Sequence, residues 1–327
     1  MKRIAVETKY LEPDALRELN ALVGDWARVD VLPPRTDEAG YREMLRGASV
    51  VVGAPRSSWV VGTQLNLVQL SGVGYEDYVG VGLEAQEHFV LCNARGVLSI
   101  CIAEHVMALM LALCRQLPHY FAAQREMKWA PIYDRFRELT GQTLVVVGLG
   151  DIGSEVARRA CGLGMRVLGV RRNVNLAAPL GVNEVLSVQQ LSDALKQADH
   201  VVAALPGGKN TRHLLNTQSI SQIKPGAFLY NVGRGTAVDE TALISALQSG
   251  HLSGAGLDVF EHEPLPADSP LWQMPQVIVT PHIAGYSHNC MKRFGRLVLD
   301  NVQRYRTGKP LLNRISSDEL AATRSDW

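Results

Sequence analysis

At the start of the chain, short apolar runs alternate with stretches of helical spacing. Ile4-Ala5-Val6, Val29-Asp30-Val31-Leu32 and Val50-Val51-Val52 read as strands, with helices predicted over 14–22 and 37–45 between them. Alternation of this kind predicts βαβ units and a parallel sheet. Apolar runs at 67–70 and 89–92 extend it. A long apolar helix is predicted over 102–124, after which 128–140 shows no period. The alternation then resumes, with strands expected at 200–205, 227–232, 256–259 and 277–280 and helices between them. The pattern predicts an α/β fold with two doubly wound parallel-sheet domains.

The second sheet is expected to end near His282, yet the chain continues, and 287–306 carries helical spacing at Met291, Phe294, Leu297, Val298 and Val302. A tail of that length cannot extend a complete second fold without docking elsewhere, so it is expected to return to the first domain. The first domain then comprises 1–98 plus 287–327, and the second 99–286. Two crossings make a hinge, and a ligand cleft is expected between the domains.

Residues 143–172, TLVVVGLGDIGSEVARRACGLGMRVLGVRR, read as strand, glycine turn, helix and strand. Gly148, Gly150 and Gly153 form G-x-G-x-x-G directly after the first of these strands. The first glycine permits the tight turn and the second lets backbone approach a pyrophosphate. The third lets the helix opened by Asp151 and Ile152 pack close to the strand. The pyrophosphate would sit on the free N–H groups of that helix. About 20 residues further on, an NAD site places an Asp or Glu on the ribose 2′-OH, whereas an arginine there pairs with a 2′-phosphate. This chain has Arg171 and Arg172. The second domain is therefore expected to be a Rossmann dinucleotide-binding domain for NADP(H), the first a flavodoxin-like, discontinuous substrate domain. A methyltransferase also calls for an acid at that strand end, so the arginines count against one. Two solvated charges closing a strand are the bland alternative.

Bulk properties narrow the partners. The chain has 327 residues, enough for two cores, with 46% hydrophobic and 20% charged residues and a net charge of +1. No nucleic-acid or membrane partner is implied by that charge. Five cysteines without a C-x-x-C pair, most of them in apolar runs, suggest reduced, buried thiols. The basic start Met1-Lys2-Arg3 is followed by an apolar run broken at Glu7 and Lys9, so no signal-peptide core is expected. A cytoplasmic location is the expectation.

Three further segments put polar groups at the carboxyl ends of predicted strands, the ligand edge of an open α/β sheet. They are YNVGRG at 230–235, LDVFEHEP at 257–264 and TPHIAG at 280–285. Together they supply a fixed cation, carboxylates and an imidazole, the groups that reduction of a 2-oxo acid requires. Negative charge developing on the carbonyl oxygen calls for a proton donor that titrates near neutrality, which histidine does. A neighbouring carboxylate favours the imidazolium, and an arginine grips a carboxylate through two parallel hydrogen bonds. Gly233 and Gly235 beside Arg234 suggest close backbone approach to a ligand. Ser71-Gly72-Val73-Gly74 reads as a concave turn presenting N–H groups to a carboxylate, or as a plain glycine turn. Asp258 could equally brace a loop, and the histidines other than His282 are read as structural. No histidine or cysteine spacing suggests a metal site.

These motifs resemble the D-2-hydroxyacid dehydrogenases, the group that includes glyoxylate/hydroxypyruvate reductases and phosphoglycerate dehydrogenases. The resemblance runs nearly the whole length: GVGYEDY at 72–78, NARGV and IAEHVMALMLAL within 93–113, the glycine turn, NVGRG, LDVFEHEP and PHIAG. It implies Arg234 as substrate anchor, Glu263 rather than Glu261 as the histidine's partner, and His282 as general acid/base. It also implies Asp258 near the nicotinamide carboxamide, Leu205-Pro206 and Val232-Gly233 flanking ribose and nicotinamide, Gly285 at the cofactor, and Val73 and Gly74 at the substrate's acid end. Where the family often has Thr-Pro this chain has Leu205-Pro206, which removes a side-chain donor.

The implied reaction is NADPH-dependent reduction of a small 2-oxo acid, glyoxylate or hydroxypyruvate favoured, to the (R)-2-hydroxy acid. A bulkier 2-oxo acid, or a dinucleotide-sensing binding protein on the same fold, are the alternatives. The 102–124 helix is apolar on most sides and must be covered on most sides. Since related enzymes dimerise through this region, a homodimer is expected, with Trp129 near the partner's substrate cleft.

Overall fold

Valine-rich runs too short to be helices become parallel strands buried on both faces, which is why they show no strict alternation. In the computed structural model, which describes residues 1–322, the first sheet comprises β1 (Lys2–Val6), β2 (Ala27–Val31), β3 (Val50–Gly53), β4 (Leu67–Leu70) and β5 (Val90–Cys92). Its order is β2-β1-β3-β4-β5, the flavodoxin-like arrangement. The second comprises β6 (Thr143–Val147), β7 (Arg166–Val170), β8 (Glu184–Leu186), β9 (His200–Ala203), β10 (Ala227–Asn231), β11 (Leu252–Leu257) and β12 (Val277–Val279). Its order is β12-β11-β10-β9-β6-β7-β8, a Rossmann sheet with one strand added at the edge. All pairings between these strands are parallel. The strand order reverses between β6 and β9, the position at which such sheets open a crevice at their carboxyl edge.

Contacts divide the chain into two units. One holds Met1–Leu98 with the chain from Tyr286 on, the other Ser99–Gly285. The late helix His288–Thr307 belongs to the first because its apolar stripe, with Phe294, Leu297, Val298 and Val302 buried, is covered by the helix Pro13–Val23. At the crossing a Cβ on Gly295 would lie 2.7 Å from that of Ala15, so only glycine permits the approach. The buried Asn301 completes the attachment, donating to Gln69 Oε1 on β4 at 2.7 Å and accepting from Leu312 N at 2.8 Å.

Three features differ from the pattern. The single helix expected over 102–124 is two helices, Ser99–Cys114 and Leu117–Arg125, bent by 70°. Pro118 cannot donate to the carbonyl four residues back and its ring crowds that group. Gln116 turns to φ 56°, and the Cys114 carbonyl accepts from Arg137 N at 3.1 Å instead. The three-residue strand β8 gave no readable run, having only Val185 and Leu186 to announce it. Cys161 is exposed, whereas Cys92, Cys101, Cys114 and Cys290 are buried thiols. Among the described residues no single helix is long and apolar enough to cross a membrane.

His200 is a satisfied core histidine. It lies between Gln142 Oε1 at 2.6 Å and Tyr230 OH at 3.1 Å, and burial pulls its imidazole down to about 3, so the ring is neutral.

Candidate active site

Parallel strands end on one edge, so the strand order lays their following residues out in a row. From one side of the seven-stranded sheet come His282 after β12, Asp258 and Glu263 after β11, Val232 to Arg234 after β10, and Leu205-Pro206 after β9. The glycine turn after β6 and Arg171-Arg172 after β7 complete the row. At about 4.8 Å per strand the row is about 24 Å long.

The glycine turn is built as its spacing requires. Gly148 sits at φ 101°, where a Cβ would lie 2.5 Å from Ala204 O, and a Cβ on Gly153 would lie 1.9 Å from Gly148 O. Gly150 is different: a Cβ there would meet nothing within 4 Å. The helix Asp151–Gly162 begins at Gly150, whose position supplies no side-chain cap. At the far end of the row Arg171 donates through Nη2 to the carbonyls of Leu176 and Ala177 and closes its own loop, while its Nε is buried without a partner. Arg172 is exposed and has no ion-pair or hydrogen-bond partner among the described residues.

Arg234 is set by its neighbours. Asn231 is buried at the end of β10, accepts from Gly233 N at 3.2 Å and donates to Arg234 O at 3.0 Å, closing the turn on both sides of the arginine. Arg234 Nη1 donates to Gly233 O at 2.9 Å. The flanking glycines approach protein backbone rather than open space. A Cβ on Gly233 would lie 2.5 Å from Leu205 O, and one on Gly235 would lie 1.9 Å from the Phe260 carbonyl carbon. Both glycines are thus required by strand-end packing, and that at Gly233 brings the β10 end against Leu205.

Glu263 and His282 are brought together: His282 Nδ1 lies 2.7 Å from Glu263 Oε2, and Glu263 Oε1 accepts from Phe260 N at 3.1 Å. Each carboxylate oxygen therefore has one task, and the imidazole presents Nε2 outward, half-exposed. Glu261 is occupied elsewhere. It accepts from Glu240 N at 3.0 Å and lies 3.0 Å from His213 Nε2, which leaves Glu263 to His282. Burial, with Glu261 and Glu263 nearby, holds the Glu240 carboxyl above its ordinary range.

Asp258, buried at the end of β11, spends its carboxylate on the segment that carries His282. Oδ1 accepts from Thr280 Oγ1 at 2.6 Å and Ile283 N at 2.9 Å, and Oδ2 from Ala284 N at 3.0 Å. His282 itself is at φ 53°, a left-handed conformation that a residue with a side chain adopts at a cost. In the other unit, Asn93 Nδ2 holds the Val73 carbonyl at 2.8 Å and Ala94 N holds that of Gly72 at 2.9 Å. The Val73 and Gly74 N–H groups have no partner among the described residues. Sequence reasoning gave no role to Asn231 and Asn93, which hold these turns.

Residues 107–284 match the family described as "D-isomer specific 2-hydroxyacid dehydrogenase, NAD binding domain". A glyoxylate reductase from Korarchaeum cryptofilum is 34% identical over 262 residues, 78% of this chain and 77% of the relative. The crystal structure of a D-isomer specific 2-hydroxyacid dehydrogenase family protein from Aeromonas salmonicida subsp. salmonicida A449 is 32% identical. It covers 97% of this chain and 99% of its own, with a TM-score of 0.84. A D-isomer specific 2-hydroxyacid dehydrogenase from Xanthobacter autotrophicus Py2, solved in complex with NADPH and MES, is 28% identical with a TM-score of 0.77, covering 97% and 98%. With its paired Rossmann and flavodoxin-like sheets and a histidine–glutamate couple at the ligand edge, the chain belongs to the D-isomer specific 2-hydroxyacid dehydrogenase family.

Proposed function

We propose that the protein is an NADPH-dependent reductase of a small 2-oxo acid, with glyoxylate or hydroxypyruvate as substrate and the (R)-2-hydroxy acid as product. The observation that carries this reading is the His282–Glu263 couple on the same sheet edge as Arg234 and the glycine turn. The residues at the other end of the row suit NADP(H). Open space over Gly150, at a helix start without a side-chain cap, fits a pyrophosphate, while the orphaned Arg171 Nε and the exposed Arg172 fit a 2′-phosphate. Leu205-Pro206, Val232-Gly233, Asp258 and Gly285 are assigned to the nicotinamide half.

When bound, the reduced nicotinamide supplies the hydride. His282 donates a proton from Nε2 to the substrate's carbonyl oxygen as charge develops there. Glu263 fixes the ring through Nδ1 and stabilises its charged form. Arg234 anchors the substrate and stabilises the developing oxyanion with a fixed cation. The Val73 and Gly74 amides are our assignment for the substrate's acid end. The net change is 2-oxo acid, NADPH and a proton to 2-hydroxy acid and NADP⁺.

The cofactor reading is tested by R172A and by R171A/R172A. A charge-assisted hydrogen bond contributes about 1.5–3 kcal/mol, so R172A is expected to raise the KM for NADPH roughly 10- to 100-fold while leaving NADH kinetics unchanged. Equal losses with both cofactors would show the arginines to be structural.

The protein works as a homodimer in this reading. Phe121, Met127, Trp129 and Tyr133 are exposed on one stretch beyond the helix bend, Met127 to 94% and Trp129 to 97%, and a second copy would cover them. Sedimentation is expected to give a dimer at micromolar concentration, and a monomer would remove this part of the proposal.

A further inference from the structure

The helix Ser99–Cys114 touches the segment that carries His282 at both of its ends. Cys101 and His105 are four residues apart and so share one face of the helix. Cys101 Sγ donates to Gly285 O at 3.1 Å, and His105 Nε2 lies 3.0 Å from Thr280 Oγ1. Thr280 in turn donates to Asp258 Oδ1 at 2.6 Å, and Asp258 takes two more donors from Ile283 N and Ala284 N. The His282 amide donates to the Asp258 main-chain oxygen at 2.8 Å. Apart from the Thr280 amide on Leu257 O and the His282 ring on Glu263, the fixed points of the segment Thr280–Gly285 lead to Asp258 or to this helix.

The hydrogens in this chain have one consistent arrangement. A carboxylate only accepts, so the single hydroxyl hydrogen of Thr280 points at Asp258. The alternative acceptor, Leu257 O, is at 3.5 Å and does not compete. Thr280 Oγ1 can then only accept from His105, which places a hydrogen on His105 Nε2. The result is a directed series, His105 to Thr280 to Asp258, ending on the carboxylate that grips the two residues following His282. That grip maintains the left-handed backbone of His282, which an unrestrained loop would leave.

We propose that His105 is a positioning residue for His282, acting through Thr280 and Asp258 to hold the imidazole where it can reach the substrate oxygen. The inference rests on the reading of His282 as proton donor. Proton transfer requires hydrogen-bond reach, and displacement of a reacting group by about 1 Å costs on the order of 100-fold.

His105→Phe keeps the bulk and removes the donor, and Thr280→Val removes the link. Each is expected to lower kcat roughly 10- to 100-fold with the KM for NADPH unchanged. The double variant should be no slower than the slower single one, because both remove the same series. His105→Gln, whose amide N–H can still donate to Thr280, should recover part of the loss. A readout independent of turnover is the ring-proton resonance of His282 Nδ1–H against Glu263 in labelled protein without cofactor, which should shift or broaden in H105F. Losses that add in the double variant, or an H105F protein with wild-type kcat and an unmoved resonance, would overturn the inference. Normal turnover of a His282 variant would instead remove the proton-donor reading, while the resonance would still report whether His105 positions the ring.

Discussion

Replacing His282 with asparagine is expected to lower kcat for glyoxylate or hydroxypyruvate roughly 10²–10⁴-fold at saturating NADPH, the range associated with loss of a general acid. Asparagine is the informative substitution because His282 sits at φ 53°, where asparagine is tolerated far better than most residues with a side chain. Alanine would combine loss of the proton donor with relaxation of the loop, and the two effects would be inseparable. Asp258 and Thr280 hold the segment through backbone and side-chain groups that H282N leaves in place. NADPH affinity, measured by fluorescence, should therefore change little. Glu263→Gln should give a smaller loss in the same direction. Its oxygen can still accept from Phe260 N, but an amide no longer stabilises a charged imidazole as the carboxylate at 2.7 Å does. Turnover of H282N within a few-fold of the parent would sink the assignment, whatever E263Q did.

Much of this site was legible before the fold because parallel sheets present their chemistry at strand ends, and strand ends can be read from where a valine-rich run stops. The run at 227–232 ends on Val232 and the run at 277–280 on Thr280, and the structure ends β10 and β12 one residue earlier, at Asn231 and Val279. What the runs could not disclose was competition between neighbours. Glu261 and Glu263 are two residues apart on one loop, and nothing in their spacing says which meets an imidazole. Family resemblance selected Glu263, and the structure supplies the reason: Glu261 is held by the Glu240 amide and lies beside His213. Gly233 and Gly235 read as sites of close backbone approach, but Leu205 and Phe260 could not be read as the groups approached, because they lie remote in sequence. The helix break at Gln116 was signalled by Pro118 and overridden by an apolar pattern that continued past it. Arg171 and Arg172 looked equivalent as adjacent cations. Only the loop that follows β7 separates them, by folding its carbonyls back onto Arg171.

Arg234→Lys is expected to lower kcat/KM roughly 10²–10³-fold, comparable with removal of a donor to a developing oxyanion. Lysine keeps the charge, so a site needing only a nearby cation would retain most of its activity. A site needing two parallel donors would lose the planar fork that a carboxylate or an oxyanion meets. The surrounding turn makes the comparison clean. Asn231 bonds to the main chain on either side of Arg234, and Gly235 packs against Phe260 through backbone alone, so neither restraint depends on the guanidinium. One guanidinium nitrogen, Nη1, is steered by Gly233 O at 2.9 Å, and lysine has no second arm to satisfy that carbonyl while reaching a substrate. The loss should therefore appear in both the KM for the 2-oxo acid and kcat, with NADPH binding preserved. Replacement by alanine should be more severe in kcat, because the cation itself goes. If R234K instead raised only the KM for NADPH, Arg234 would belong to the cofactor rather than to the substrate, and the proposed division of the sheet edge would fail at its centre.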